Sequence, residues 1–128
     1  MILIDANILL YAYDANSSRH SAARNWLQKA FSTGEPVRLP WVVILAFLRL
    51  TTQPAILTRP PYVGSAAPTA RHWEILRTLL PAGQAKGRLV TDAHLAALAI
   101  EHGAVLYTND RDFTRFPGPK WTNPLSAA

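Results

Sequence analysis

The sequence predicts a single α/β domain over residues 1–128, with three layers in which a mainly parallel sheet lies between helices. Three observations carry this reading. Residues 1–4 and 104–107 are short apolar runs, too brief for helices and suited to buried strands, and Val37 to Leu39 is a further short strand candidate before Pro40. Stretches with helical spacing separate them, and strands that alternate with helices pair in parallel. Finally, the chain has only eight acidic residues, and Asp5, Asp92, Asp110 and Asp112 fall at predicted strand–helix junctions, where open parallel sheets hold ligands.

The elements follow in order. Met1 to Ile4 forms the first strand, and Ile8, Leu9, Leu10 and Ala12 resume the apolar pattern as a helix. Residues 14–18 (DANSS) read as a turn, with Ser17 or Ser18 placed to cap a second helix over 19–32. That helix sets Ala22, Ala23, Trp26, Leu27 and Ala30 on one face. Val37 to Leu39 is a second strand closed by Pro40. Residues 41–52 (WVVILAFLRLTT) are almost wholly apolar, and their length favours a buried helix, although Val42, Val43 and Ile44 also suit a strand.

Five prolines and glycines (Pro54, Pro60, Pro61, Gly64 and Pro68) make residues 53–68 an irregular excursion within the domain. Residues 69–80 form an amphipathic helix carrying Trp73, Leu76 and Leu80, and Pro81 to Gly87 interrupts the chain. Leu89-Val90-Thr91-Asp92 repeats the opening logic and leads into a helix that packs Leu95, Ala96, Ala99 and Ile100 inward and stops at Gly103. Ala104 to Tyr107 is a further strand, with Thr108-Asn109-Asp110 at its carboxyl end. Asp112-Phe113 opens a single turn, and the segment around Trp121 reads as a final edge strand.

Composition narrows the function classes. No apolar run reaches the ~18 residues of a membrane span, and no basic, apolar and small-residue series marks a signal peptide. The absence of cysteine excludes disulfides and thiolate metal sites and fits a cytoplasmic protein. A net charge of +5 favours an anionic partner such as nucleic acid, although the arginines are scattered, as on an ordinary solvated surface. His20, His72, His94 and His102 show no i, i+4 pairing, which argues against a zinc site. Phosphate-binding glycine loops and a serine nucleophile elbow are both missing.

The carboxylates hold the chemistry. In a parallel sheet the carboxyl ends of the strands face one crevice, so Asp5, Asp92 and Asp110 can converge there. Clustered carboxylates repel one another and take up protons unless a cation offsets them. Mg²⁺ or Mn²⁺ prefers such oxygens and keeps waters, one of which it acidifies for attack on a phosphate. Asn7, Thr91, Thr108 and Asn109 are short polar groups placed to orient the acids. An Asp at a helix start also serves as a cap worth about 1 kcal/mol, and Asp92 and Asp112 fit that role too. Asp5 fits it least, because an apolar strand leads directly into it.

Residues 4–7 (IDAN), 91–99 (TDAHLAALA) and 108–113 (TNDRDF), in this order and spacing, resemble the PIN-domain family. More narrowly they resemble VapC-type toxins of bacterial type II toxin–antitoxin systems, and the likeness spans nearly the whole chain. It implies a parallel sheet flanked by helices and an Mg²⁺- or Mn²⁺-dependent endoribonuclease that leaves a 5′-phosphate and a 3′-hydroxyl. A cognate VapB-type antitoxin and a homodimer are implied as well. Carried over by position, Asp5, Asp92 and Asp110 match the family's first, third and fourth acids, and all three are the expected catalytic and metal ligands. Asp112 matches a frequent additional acid, and Asn7 stands where the family commonly has Thr, Ser or Asn. The second acid, a Glu early in the helix after the second strand, is replaced by Ala46. Fewer charged ligands weaken metal binding without necessarily ending catalysis, because Mg²⁺ accepts water and substrate oxygens.

The expected function is therefore an RNA-cleaving toxin, with Arg19, Arg88, Arg111 and Arg115 tracking the phosphate backbone. An apolar surplus on residues 41–52 offers a groove for an antitoxin helix. Two alternatives stay open: a non-catalytic PIN-like module that binds RNA or a partner without the second acid, and a metal-dependent phosphatase or DNA nuclease on the same scaffold.

Overall fold

The computed structural model describes residues 1–51 and 64–126. Strands β1 (Ile2–Ile4), β2 (Val37–Pro40), β3 (Gly64–Ala66), β4 (Val105–Tyr107) and β5 (Lys120–Thr122) build one sheet in the order β3-β2-β1-β4-β5. All four pairings are parallel, with Ile2 opposite Val37 on one side and Val105 on the other. The sheet order reverses direction at β1, so β1 and β4 bound the switch point where open parallel sheets bind ligands.

Among the described residues, five α-helices cover the sheet: α1 (Ala6–Tyr13), α2 (His20–Ser32), α3 (Trp41–Thr51), α4 (His72–Ala82) and α5 (Leu89–Glu101). Residues along β1 alternate between two cores, as a pleated strand requires. Leu3 joins Val43, Leu79, Leu98, Leu106, Phe113 and the buried alanines of α5. Ile2 and Ile4 turn the other way, to Ile8, Ala23, Ala30 and Val37. On α5, Ala93, Ala96, Ala97 and Ala99 are all buried, and their small side chains let the helix lie close against its neighbours.

Several expectations need correction. Leu89 to Thr91 form no strand, because α5 already begins at Leu89. A two-residue apolar pair has too little periodicity to distinguish the two states, and Val90 is exposed here, not inserted in a sheet. Asp92 thus stands in the first turn of a helix. Gly64 to Ala66 add an edge strand within the stretch expected to be irregular, and the part of that stretch before residue 64 lies outside the described residues, as does Thr52. Helix α4 starts three residues late and runs through Pro81 to Ala82. A proline in the last turn forfeits one backbone bond, and the Gly83 N–H still closes the helix on Leu79.

Neither Ser17 nor Ser18 is the cap of α2. Arg19 holds that position, and the Ser17 hydroxyl instead accepts from the Arg19 N–H. Ala22 faces solvent. Helix α3 is buried on one face only: Val43 and Phe47 are in the core, whereas Trp41, Leu45 and Leu50 are each about 60% exposed. Gly103 has φ 59° and ends α5 in the left-handed region, as expected.

Candidate active site

Asp5 follows β1 as the N-cap of α1, and its Oδ1 accepts from the Ala6 N–H at 2.6 Å. Its Oδ2 accepts from the Thr108 hydroxyl at 2.9 Å. Thr108 follows β4 and is completely buried. Its oxygen also accepts from Asn7 Nδ2 at 3.1 Å and from the Asp110 N–H at 3.0 Å. Asn7 Oδ1 takes the Asn109 N–H at 3.2 Å. Thr108 thus bonds both Asp5 and the Asp110 backbone, and Asn7 bonds Thr108.

Asp110 caps the 3-10 helix Arg111–Arg115, and its Oδ1 accepts from the Asp112 N–H at 2.8 Å. The turn brings Asp112 beside Asp110, and α5 delivers Asp92 to the same place. One carboxylate oxygen from each of Asp92, Asp110 and Asp112 lies within 4.8 Å of the others. Asp5 borders the trio but is not in it, and protein donors engage both of its oxygens. Three hard oxygen donors in one half-buried cluster match what Mg²⁺ or Mn²⁺ takes as ligands.

The electrostatics fit that description. Burial, then the negative charges of Asp110, Asp5 and Asp112, push the Asp92 carboxyl up to about 6, with Arg88 opposing. Burial also raises Asp5, against the bonds from Thr108 and Ala6, and the Asp110 charge adds to the rise. Arg88 and Arg115 lie 3.6 and 4.0 Å from Asp112, and Arg115 also donates to the Gly83 carbonyl. Arg19 sits over the Tyr11 ring, and the Tyr11 hydroxyl accepts from Asn109 Nδ2 at 3.4 Å. Exposed Arg111 begins the 3-10 helix beside Asp110.

A cleft of about 510 Å³ opens beside Asp5 and Asp92, which line it with Thr91 on one side, while Val42, Leu45, Ala46 and Arg49 of α3 line the other. Ala46, the residue expected to stand in for the second acid, lines the same cleft as Asp5 and Asp92. Thr91 lines this cleft, but among the described residues its hydroxyl bonds none of the carboxylates, so it does not orient them as expected.

Two features escaped the sequence reading. Asn123, beyond β5, donates to Asn109 Oδ1 at 2.9 Å and ties the last strand to the site, a link between residues fourteen apart that no local pattern announces. His72 and His94, taken separately in sequence, meet with Nε2 and Nδ1 2.9 Å apart. The Nδ1 of His72 donates to the Glu101 carboxylate, which also accepts the Thr69 N–H.

A profile of the PIN domain matches residues 2–119. This chain belongs to the PIN-domain family. The PIN domain described here is 39% identical to Ribonuclease VapC37 of Mycobacterium tuberculosis over 140 aligned positions covering 97% of each chain. It is 33% identical to Ribonuclease VapC43 of the same species, covering 98% of this chain and 96% of the relative. Among solved structures it resembles VapBC-1 from nontypeable Haemophilus influenzae, with TM-score 0.67 at 19% identity over 98% of this chain and 100% of that one. VapBC2 from Rickettsia felis, solved with a DNA fragment from its promoter, gives TM-score 0.64 at 19% identity over 96% and 98%. At that identity the likeness establishes a shared fold.

Proposed function

We propose that this PIN domain is a metal-dependent endoribonuclease, a VapC-type toxin that acts in the cytoplasm and is neutralised by a VapB-type antitoxin. One observation carries the reading: Asp92, Asp110 and Asp112 converge beside Asp5 at the switch point of a parallel sheet, with Asp92 pushed up to about 6. The names of its relatives, ribonucleases 39% and 33% identical along nearly their whole length, support the substrate class.

Asp92, Asp110 and Asp112 would hold Mg²⁺ or Mn²⁺, with Asp5 completing the acidic wall. Such an ion, when bound, supplies an acidified water and offsets charge developing on a phosphate. The chain itself supplies position. Thr108 fixes Asp5 and, through the Asp110 N–H, the turn that presents Asp110 and Asp112. Asn7 fixes Thr108. Arg88 and Arg115 beside Asp112, with Arg111 and Arg19 further out, give an RNA backbone counter-charges around the cluster.

The antitoxin would cover the exposed apolar side of α3, where Trp41 and Leu45 stand one turn apart beside the cleft. Without antitoxin the chain would form a homodimer, checked by light scattering. Because Ala46 lines the cleft with Asp5 and Asp92 and the second acid expected from the family resemblance is missing, a second reading is a non-catalytic module that binds RNA or a partner.

Cleavage of a structured RNA pool by antitoxin-free protein separates the readings, run with Mn²⁺, with EDTA, and with Asp92→Asn. Cutting that needs metal and vanishes in the variant supports the nuclease. A folded protein that cuts nothing under any metal supports the binding module.

A further inference from the structure

Arg49 is the charged residue that α3 contributes to the cleft beside Asp5 and Asp92. Residues 42, 45, 46 and 49 fall at i, i+3, i+4 and i+7, one stripe of the helix, and all four line the acid cleft. Val42, Leu45 and Ala46 are apolar, so Arg49 gives this wall its charge, across from Asp5 and Asp92. It is exposed, and among the described residues its guanidinium has no ion pair or hydrogen bond. Arg88 and Arg115, on the Asp112 side, already sit against a carboxylate.

Ala46 leaves Arg49 without a carboxylate one turn back on its own helix. A carboxylate at position 46 would stand at i, i+3 to Arg49 and pair with it on the helix surface. With alanine there, the acidic charge one turn away is gone and five planar N–H donors remain for an incoming anion. A strand whose scissile phosphate reached the acids would pass neighbouring phosphates along the α3 wall, where a guanidinium binds phosphate oxygens in a bidentate fork.

We propose that Arg49 is a phosphate-binding residue of this site, contacting the RNA backbone beside the position that is cut. The proposal rests on the nuclease reading and adds to it one contact from α3, separate from the arginines near Asp112. Phosphate contacts carry no sequence information, so an RNA of any sequence reports this one.

The test measures binding of fluorescein-labelled oligouridylate at a series of salt concentrations, in Asp110→Asn protein, which keeps the bond to the Asp112 N–H. Adding Arg49→Ala should weaken binding and flatten the slope of log K against log salt by about 0.7, the value for one single-strand phosphate contact. Arg49→Lys should keep most of the slope and lose part of the affinity. Circular dichroism confirms that the variants are folded. An unchanged slope with Arg49→Ala overturns the proposal, and so does an unchanged slope accompanied by tighter Mn²⁺ binding, which would make Arg49 a counter-ion of the acids. If the wild-type protein cuts RNA and the slope does not move, this inference alone fails. Absence of oligouridylate binding by either protein, together with absence of cleavage by the wild type, defeats it along with the nuclease reading.

Discussion

The Thr108 hydroxyl donates to Asp5 Oδ2 at 2.9 Å and has no hydrogen-bonding capacity left over. A hydroxyl offers one donor and two acceptor positions, and here Asn7 Nδ2 and the Asp110 N–H take the acceptors. One buried side chain thus joins the ends of β1 and β4, the two strands that deliver Asp5 and Asp110. Thr108→Val keeps the shape and leaves all three partners short of a bond. Urea unfolding should show a loss of about 1–3 kcal/mol, with Thr108→Ser losing much less. RNA cleavage should fall further in the valine variant than its stability at the assay temperature explains.

Ala46→Glu would place a carboxylate on the cleft wall that faces Asp5 and Asp92. Calorimetry should find Mn²⁺ bound about tenfold tighter or better, because affinity follows the charge of the ligand set. Without metal the same variant should melt at a lower temperature than the parent, since another negative charge joins an already repelling cluster.

The raised Asp92 carboxyl predicts a pH dependence whose sign can be fixed. Its folded value of about 6 lies above the ordinary 3.8, so between these limits the folded state binds more protons than the unfolded state. Stability of the metal-free protein therefore falls as pH rises from about 4 to 6 and is flat above, as far as this group controls it. A melting series in EDTA across that range checks the sign. Mn²⁺ must displace the same proton, so its apparent affinity should drop as pH falls below about 6, by up to tenfold per unit.

Glu101 at the end of α5 tests the contact between α4 and α5. Its side chain is fully buried and accepts from His72 Nδ1 and from the Thr69 N–H. His72 in turn meets His94, whose imidazole is held below its usual range by burial, then by His72, with Glu101 opposing. Glu101→Ala removes the acceptor of the half-buried His72 Nδ1 and of the exposed Thr69 N–H and should cost about 1–3 kcal/mol in urea unfolding. Glu101→Gln retains an acceptor and should cost less. In the alanine variant, amide exchange should speed up in α4 before it does in β1.

Much of the site was legible in the chain because its signals are local. Asp5 is conspicuous as a carboxylate at the end of a strand buried on both faces, and residues 108–113 spell out a turn that places two acids side by side. Neither needs knowledge of the rest of the fold. The strand order, by contrast, had no local signature, and neither did the edge strand at Gly64–Ala66, whose three small residues carry little β pattern.

The sequence by itself determined the alternation of strands and helices, the parallel sheet and the three segments that supply the acids. Period-two and period-3.6 patterns are written in neighbouring residues. Only the tertiary structure decided that Asp112 joins Asp92 and Asp110 while Asp5 borders them, that Ala46 and Arg49 share the facing wall, and that His72 meets His94. These relationships join residues from different elements. They depend on how α3, α4 and α5 dock around the sheet, and docking is set by packing of the whole core.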